Sequence, residues 1–159
     1  MDALYQEIIL DHYRNPVGKG LREPHEAEVH HVNPTCGDEI TLRVHLVATD
    51  GGSPGVADVS FEGQGCSISQ ASASVLHDQV VGLPLDQALH VQEEFLRLMQ
   101  SRGEGDPDEE VLGDAVAFAG VSKYPARVKC ALLSWMAWKD AVARSGDPVP
   151  HLPSVEAWR

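Results

Sequence analysis

Three cysteines and one aspartate carry the residue types and spacing suited to metal and sulfur chemistry: Cys36, Asp38, Cys66 and Cys130. The first pair lies in Asn33-Pro34-Thr35-Cys36-Gly37-Asp38. Pro34 stiffens the approach, and Gly37 permits the backbone angle a tight turn needs, so Cys36 and Asp38 can be aimed at one point. In Gly63-Gln64-Gly65-Cys66-Ser67 two glycines follow a strand and precede a helix. Cys66 thus falls at a helix N-terminus, where free N–H groups and the helix dipole favour a thiolate. In Tyr124-Pro125-Ala126-Arg127-Val128-Lys129-Cys130 the proline suits a first helical turn, and Cys130 follows about a turn later, with Arg127 and Lys129 placed to favour its thiolate. Taken singly, each has a plainer reading: a β-turn with an incidental cysteine, a helix cap, a buried thiol. Together, three thiolates and a carboxylate form a four-ligand set of the kind zinc takes. The long separations require three parts of the fold to converge, unlike a zinc finger. Glycine loops also bind phosphate, but neither a P-loop nor a dinucleotide fingerprint is present.

The elements that must position these residues can be read from the hydrophobic pattern. Residues 3–13 form a helix, with Asp2 as its N-cap and Asn15-Pro16 ending it. Residues 15–26 read as loop. Strands follow at 27–32, 40–48 and 56–62. In the second, Ile40, Leu42, Val44, Leu46 and Ala48 alternate with Thr41, Arg43 and His45, which predicts one buried and one wet face. The turn at 49–55 makes the pair antiparallel. Helices fill the rest: 67–81, 86–100, a short one at 109–119 and a long one at 124–144, with an exposed loop at 101–108. Strands first and helices after predict an α+β fold, a small antiparallel three-stranded sheet with helices packed on one face. The expectation is one domain over 1–159, ending in a Pro-rich C-terminal tail, 145–159.

Composition narrows the function classes. The formal net charge of −12 repels phosphate backbones and anionic membranes, which argues against nucleic-acid and membrane partners. No apolar run approaches the roughly 20 residues of a membrane helix. The N-terminus carries acid where a signal peptide carries base, and three cysteines do not make a disulfide framework, so a cytoplasmic protein is expected. Lys123, Arg127 and Lys129 form a basic cluster against this trend. The eight histidines, His30-His31 included, read as surface polar residues.

The three cysteine motifs, in this order, resemble the IscU-like (NifU N-terminal) iron–sulfur cluster assembly family, and Leu4-Tyr5 through His12-Tyr13-Arg14-Asn15-Pro16 looks like its opening. The resemblance covers residues 4 to about 143. Two departures from the IscU pattern are similar to the SufU branch. Lys129 stands where IscU has histidine, and the Cys66–Cys130 stretch is longer by about twenty residues, placing an insertion within 82–108. That resemblance implies a zinc-dependent sulfurtransferase that accepts persulfide sulfur from a SufS-type cysteine desulfurase and passes it to downstream iron–sulfur assembly proteins. It implies Zn2+ on Cys36, Asp38, Cys66 and Cys130, and a histidine of the partner replacing one cysteine on the metal. Cys36 is the expected acceptor, because a turn swings out more easily than a helix. The alternatives are a scaffold carrying a [2Fe-2S] cluster or iron on the same ligands, and a purely structural zinc site.

Overall fold

The alternation in residues 40–48 becomes the central strand of a three-stranded antiparallel sheet. The computed structural model describes residues 3–50 and 52–145. The strands are β1 (Ala27–Asn33), β2 (Asp38–Val47) and β3 (Gly55–Gln64), in spatial order β1-β2-β3. The helices are α1 (Ala3–Arg14), α2 (Ser67–Val80), α3 (Leu85–Met99), α4 (Glu109–Leu112) and α5 (Pro125–Arg144), with a 3-10 helix at Gly113–Lys123. This is the expected α+β arrangement. The Asp2 cap and the tail from residue 146 lie outside the described residues, as does Gly51 of the 49–55 turn. No helix among the described residues is long and apolar enough to cross a membrane.

Leu42, Val44, Val59 and Phe61 are almost wholly buried on the sheet, and α5 packs along β1 and β2. Phe95 of α3 stacks on Trp135 of α5, with ring centroids 4.1 Å apart, and meets Phe118 edge-on at 5.8 Å. α3 lies within residues 82–108 and contributes an aromatic ring, Phe95, to the core. A buried hydroxyl keys α2 to α5. Trp135 Nε1–H donates to Ser72 Oγ at 2.9 Å, and the Ser72 hydroxyl donates to the Ala131 carbonyl at 2.6 Å. These two helices carry Cys66 at the start of one and Cys130 within the other.

Two expectations need correction. Residues 109–119 are not one α-helix: α4 ends after a single turn, because Gly113 sits at φ +51°, and the chain continues as a 3-10 helix. The outer face of the sheet is also not simply wet, since His45 and Ser60 are fully buried. The 15–26 loop folds over them. His45 Nδ1–H donates to the Pro24 carbonyl, and its Nε2 accepts the Ser60 hydroxyl at 2.6 Å. Arg22 clasps Asp58, with Nη2–Oδ1 at 2.9 Å, and His77 Nε2 reaches the same carboxylate at 3.0 Å. Alternation counts only side chains and cannot see a loop that returns as a lid on the polar face.

Burial alone raises the Asp58 pKa, but His77 and Arg22 outweigh it and hold the carboxyl well below the usual range. The stabilisation is therefore present above the unfolded value of about 3.9 and lost as pH falls through the folded one. Asp58→Asn is expected to cost about 1–3 kcal/mol at pH 7, the scale of hydrogen bonds to a charged group. The gap from wild type should begin to narrow below about pH 4 and close only as pH falls through the depressed folded value. Denaturant melts of both proteins across pH check it.

Candidate metal centre

Strand register builds the site. Asn33 pairs with Asp38 across β1 and β2, leaving residues 34–37 as the turn between them. Gly37 N–H donates to the Asn33 carbonyl at 2.8 Å, and Thr35 N–H to Asn33 Oδ1 at 3.2 Å. Gly37 takes φ +74°, the left-handed conformation glycine reaches without strain. Cys36 is carried exposed on this turn. Asp38 does not share that position: it is the first residue of β2 and only 2% exposed, because β3 and the start of α2 cover it. Glu39 pairs with Gln64, so β3 delivers Gly65 and Cys66 to the same end of the sheet. The second turn of α5 brings the buried Cys130.

The side chains converge on the Asp38 carboxylate. Cys36 Sγ lies 3.0 Å from Asp38 Oδ2 and 3.5 Å from Cys130 Sγ. Ligand atoms of Cys36, Asp38 and Cys130 are all within 4.8 Å of one another. Cys66 N–H donates to Asp38 Oδ1 at 3.0 Å, while its Sγ stands 3.7 Å from Oδ2. Cys66 thus adjoins the group through Asp38 and lies outside the mutual trio.

The electrostatics suit a cation. Burial raises the Asp38 pKa, but the thiols of Cys36 and Cys130 and the N–H and thiol of Cys66 overcome that and keep it ionised. Burial, then Asp38, then the neighbouring thiols push the Cys130 thiol far above its ordinary value. An ionised carboxylate set against a buried thiol that resists ionisation lacks positive charge. A thiophilic dication supplies it and allows the thiols to ionise, which is the chemistry this donor set fits. The other residues singled out in the sequence stand around this group. Arg127 lies over the Tyr124 ring, 5.4 Å from its centroid. Lys129 lines a groove of about 330 Å³ with Val32, Pro34 and Met136, on the Cys36 side. Arg127 lines a second of about 240 Å³ with Ile9 and Ile68, beside Cys66. His30 and His31 stay outside, His31 paired with Asp140 at 2.8 Å.

Sequence reasoning missed two supports. Ser69, three residues into α2 and 7% exposed, donates to the Cys66 carbonyl at 3.0 Å and lies 3.9 Å from Cys66 Sγ. The Cys-x-x-Ser spacing at a helix start, the interval of a capping box, is the signal that points to it. Gly65 is the other. A Cβ there would sit 2.3 Å from Ser69 Oγ and 2.7 Å from Asp38 Oδ1. Gly65→Ala is expected to displace Asp38 and lower metal affinity about 10–100-fold, the range for groups that orient ligands, with helix content unchanged. Chelator competition alongside circular dichroism checks both parts.

Fold and site define the class: an α+β domain whose turn, strand end and two helices bring three thiols to one carboxylate. The chain belongs to the NifU-like N-terminal domain family, whose model matches residues 4–131, and groups with its SufU branch. It is 44% identical over 144 residues to the zinc-dependent sulfurtransferase SufU of Bacillus subtilis, covering 91% of this chain and 92% of that one. It is 37% identical over 147 residues to the iron–sulfur cluster assembly scaffold protein IscU of Streptococcus pyogenes, covering 92% and 87%. Among solved structures it is similar to a proposed iron–sulfur cluster assembly scaffold for the SUF system from Fervidobacterium islandicum. The TM-score is 0.72 and the identity 35%, with 86% of this chain and 94% of that one covered.

Proposed function

We propose that this chain is a zinc-dependent sulfurtransferase that accepts persulfide sulfur from a cysteine desulfurase for iron–sulfur cluster assembly. One observation carries the reading: Cys36 is exposed on a turn while its sulfur touches the buried Asp38 and Cys130. Zinc, held by Cys36, Asp38, Cys66 and Cys130, supplies the positive charge that keeps the thiols ionised. The turn at 34–37 lets Cys36 move outward, whereas Cys130, in a helix and buried, stays. The Cys36 thiolate attacks the outer sulfur of the desulfurase persulfide, forming a new S–S bond. The sulfur–sulfur bond on the desulfurase breaks, and its cysteine leaves as thiolate. Asp38, the hard ligand in a sulfur-rich set, keeps the site labile. The two grooves beside the site offer apolar lining with Lys129 and Arg127 at their rims for a SufS-type desulfurase and for downstream assembly proteins. The setting we propose is the cytoplasm, where thiols stay reduced.

The scaffold reading uses the same four side chains, and elemental analysis separates the two. Protein purified without added metal is expected to hold one zinc per chain, and its removal should lower the melting temperature, because ligand binding and folding are coupled. An iron–sulfur chromophore in place of zinc would favour the scaffold.

A further inference from the structure

The opening segment around His12 holds a second constellation, unrelated to the cysteines. His12 of α1, Asp78 of α2 and Asp114 of the 3-10 helix offer ligand atoms all within 4.8 Å of one another. The imidazole is 8% exposed, and its Nε2 lies 3.0 Å from Asp114 Oδ2. Its Nδ1 lies 2.8 Å from Ser74 Oγ, which also accepts the Val17 N–H at 2.9 Å. A metal-binding histidine ordinarily has this arrangement, one nitrogen fixed by a neighbour outside the ligand set and the other turned to the site. A hydroxyl can accept from Nδ1–H or donate to bare Nδ1, so Ser74 serves either tautomer.

The charge balance gives an independent reason. α2 and the 3-10 helix bring the carboxylates of Asp78 and Asp114 together, and like charges at this range repel. Among the described residues no lysine or arginine forms an ion pair with either, and Asp78 has no hydrogen-bond or ion-pair partner. We propose that His12, Asp78 and Asp114 form a second divalent-cation site, taking a borderline transition metal with water completing its shell. One imidazole with two carboxylates suits such ions better than calcium or magnesium, which take oxygen ligands. Ser74 is eight residues along α2 from Cys66, a rise of about 12 Å, so the ion is distinct from any metal at the cysteines. It ties α1 to α2 and to the 3-10 helix.

The test uses the full chain with its resident metal in place and counted. Cobalt(II) is added, and equilibrium dialysis with elemental analysis counts both metals while absorption reports thiolate–cobalt charge transfer. The expected result is one further cobalt per chain, no loss of resident metal and no thiolate band. Asp78→Asn and His12→Gln should each weaken that binding at least about tenfold. Asp78 is exposed, so its variant stays informative if His12→Gln fails to fold. Three results would overturn the site: no cobalt retained at about 1 mM free ion, cobalt entering only with loss of resident metal and a thiolate band, or binding unchanged in Asp78→Asn. The first two leave the sulfur-transfer reading untouched.

Discussion

Cys36→Ser is expected to return a cysteine desulfurase from its stimulated rate to its basal rate, and to remove the sulfur label from this chain. In the wild type, reaction with cysteine and desulfurase should leave one extra sulfur atom, roughly 32 Da, on the Cys36 peptide. The physical basis is access. Cys36 and Cys66 are exposed and Cys130 is buried, but Cys66 is fixed as the N-cap residue of α2 with its N–H bonded to Asp38. Cys36 sits in a turn anchored at Asn33 and followed by a positive-φ glycine. Serine keeps the size within one atom but is not ionised at neutral pH, so it removes both ligand and nucleophile. Lost stimulation alone would be ambiguous between the two, and label position decides. Sulfur found repeatedly on Cys66 or Cys130, and never on Cys36, would overturn the assignment of the acceptor.

Asp38→Ala carries the second large effect. The carboxylate meets Cys36 Sγ, Cys66 Sγ and the Cys66 N–H, so alanine removes a charge and the hub of the group. Metal affinity is expected to fall at least about 100-fold, at or beyond the top of the range seen for groups that merely orient ligands. The metal-free protein should also lose about 1–3 kcal/mol, because the Cys66 N–H at the start of α2 loses its acceptor. Had Asp38 been a turn residue, as its spacing suggested, the fold would be nearly indifferent; its burial in β2 makes stability respond. Asp38→Asn separates the effects. Its amide oxygen can still accept from Cys66 N–H, so stability should largely return while metal affinity stays low. Denaturant melts and chelator competition on the three proteins read the two quantities independently.

The turn and helix starts that carry Cys36, Cys66 and Cys130 were legible in the sequence because local rules reach them. Gly37 beside Cys36 marks a tight turn, Gly65 before Cys66 marks a helix entry, and Pro125 marks the helix that carries Cys130. Alternation over 40–48 and 56–62 likewise determined the sheet, since a period of two leaves one register that buries Leu42, Val44, Val59 and Phe61. Three things were decided only in three dimensions. Asp38 is buried because β3 and α2 close over it, and Cys66 stands further from the trio than ligand spacing implies. His45 is dry because a loop with no periodicity of its own returns across the outer face. His12, Asp78 and Asp114 meet across 102 residues of chain between the first and last. Local pattern reports which face of its own element a side chain takes. Which elements then meet depends on packing between segments distant in sequence, and on that the pattern is silent.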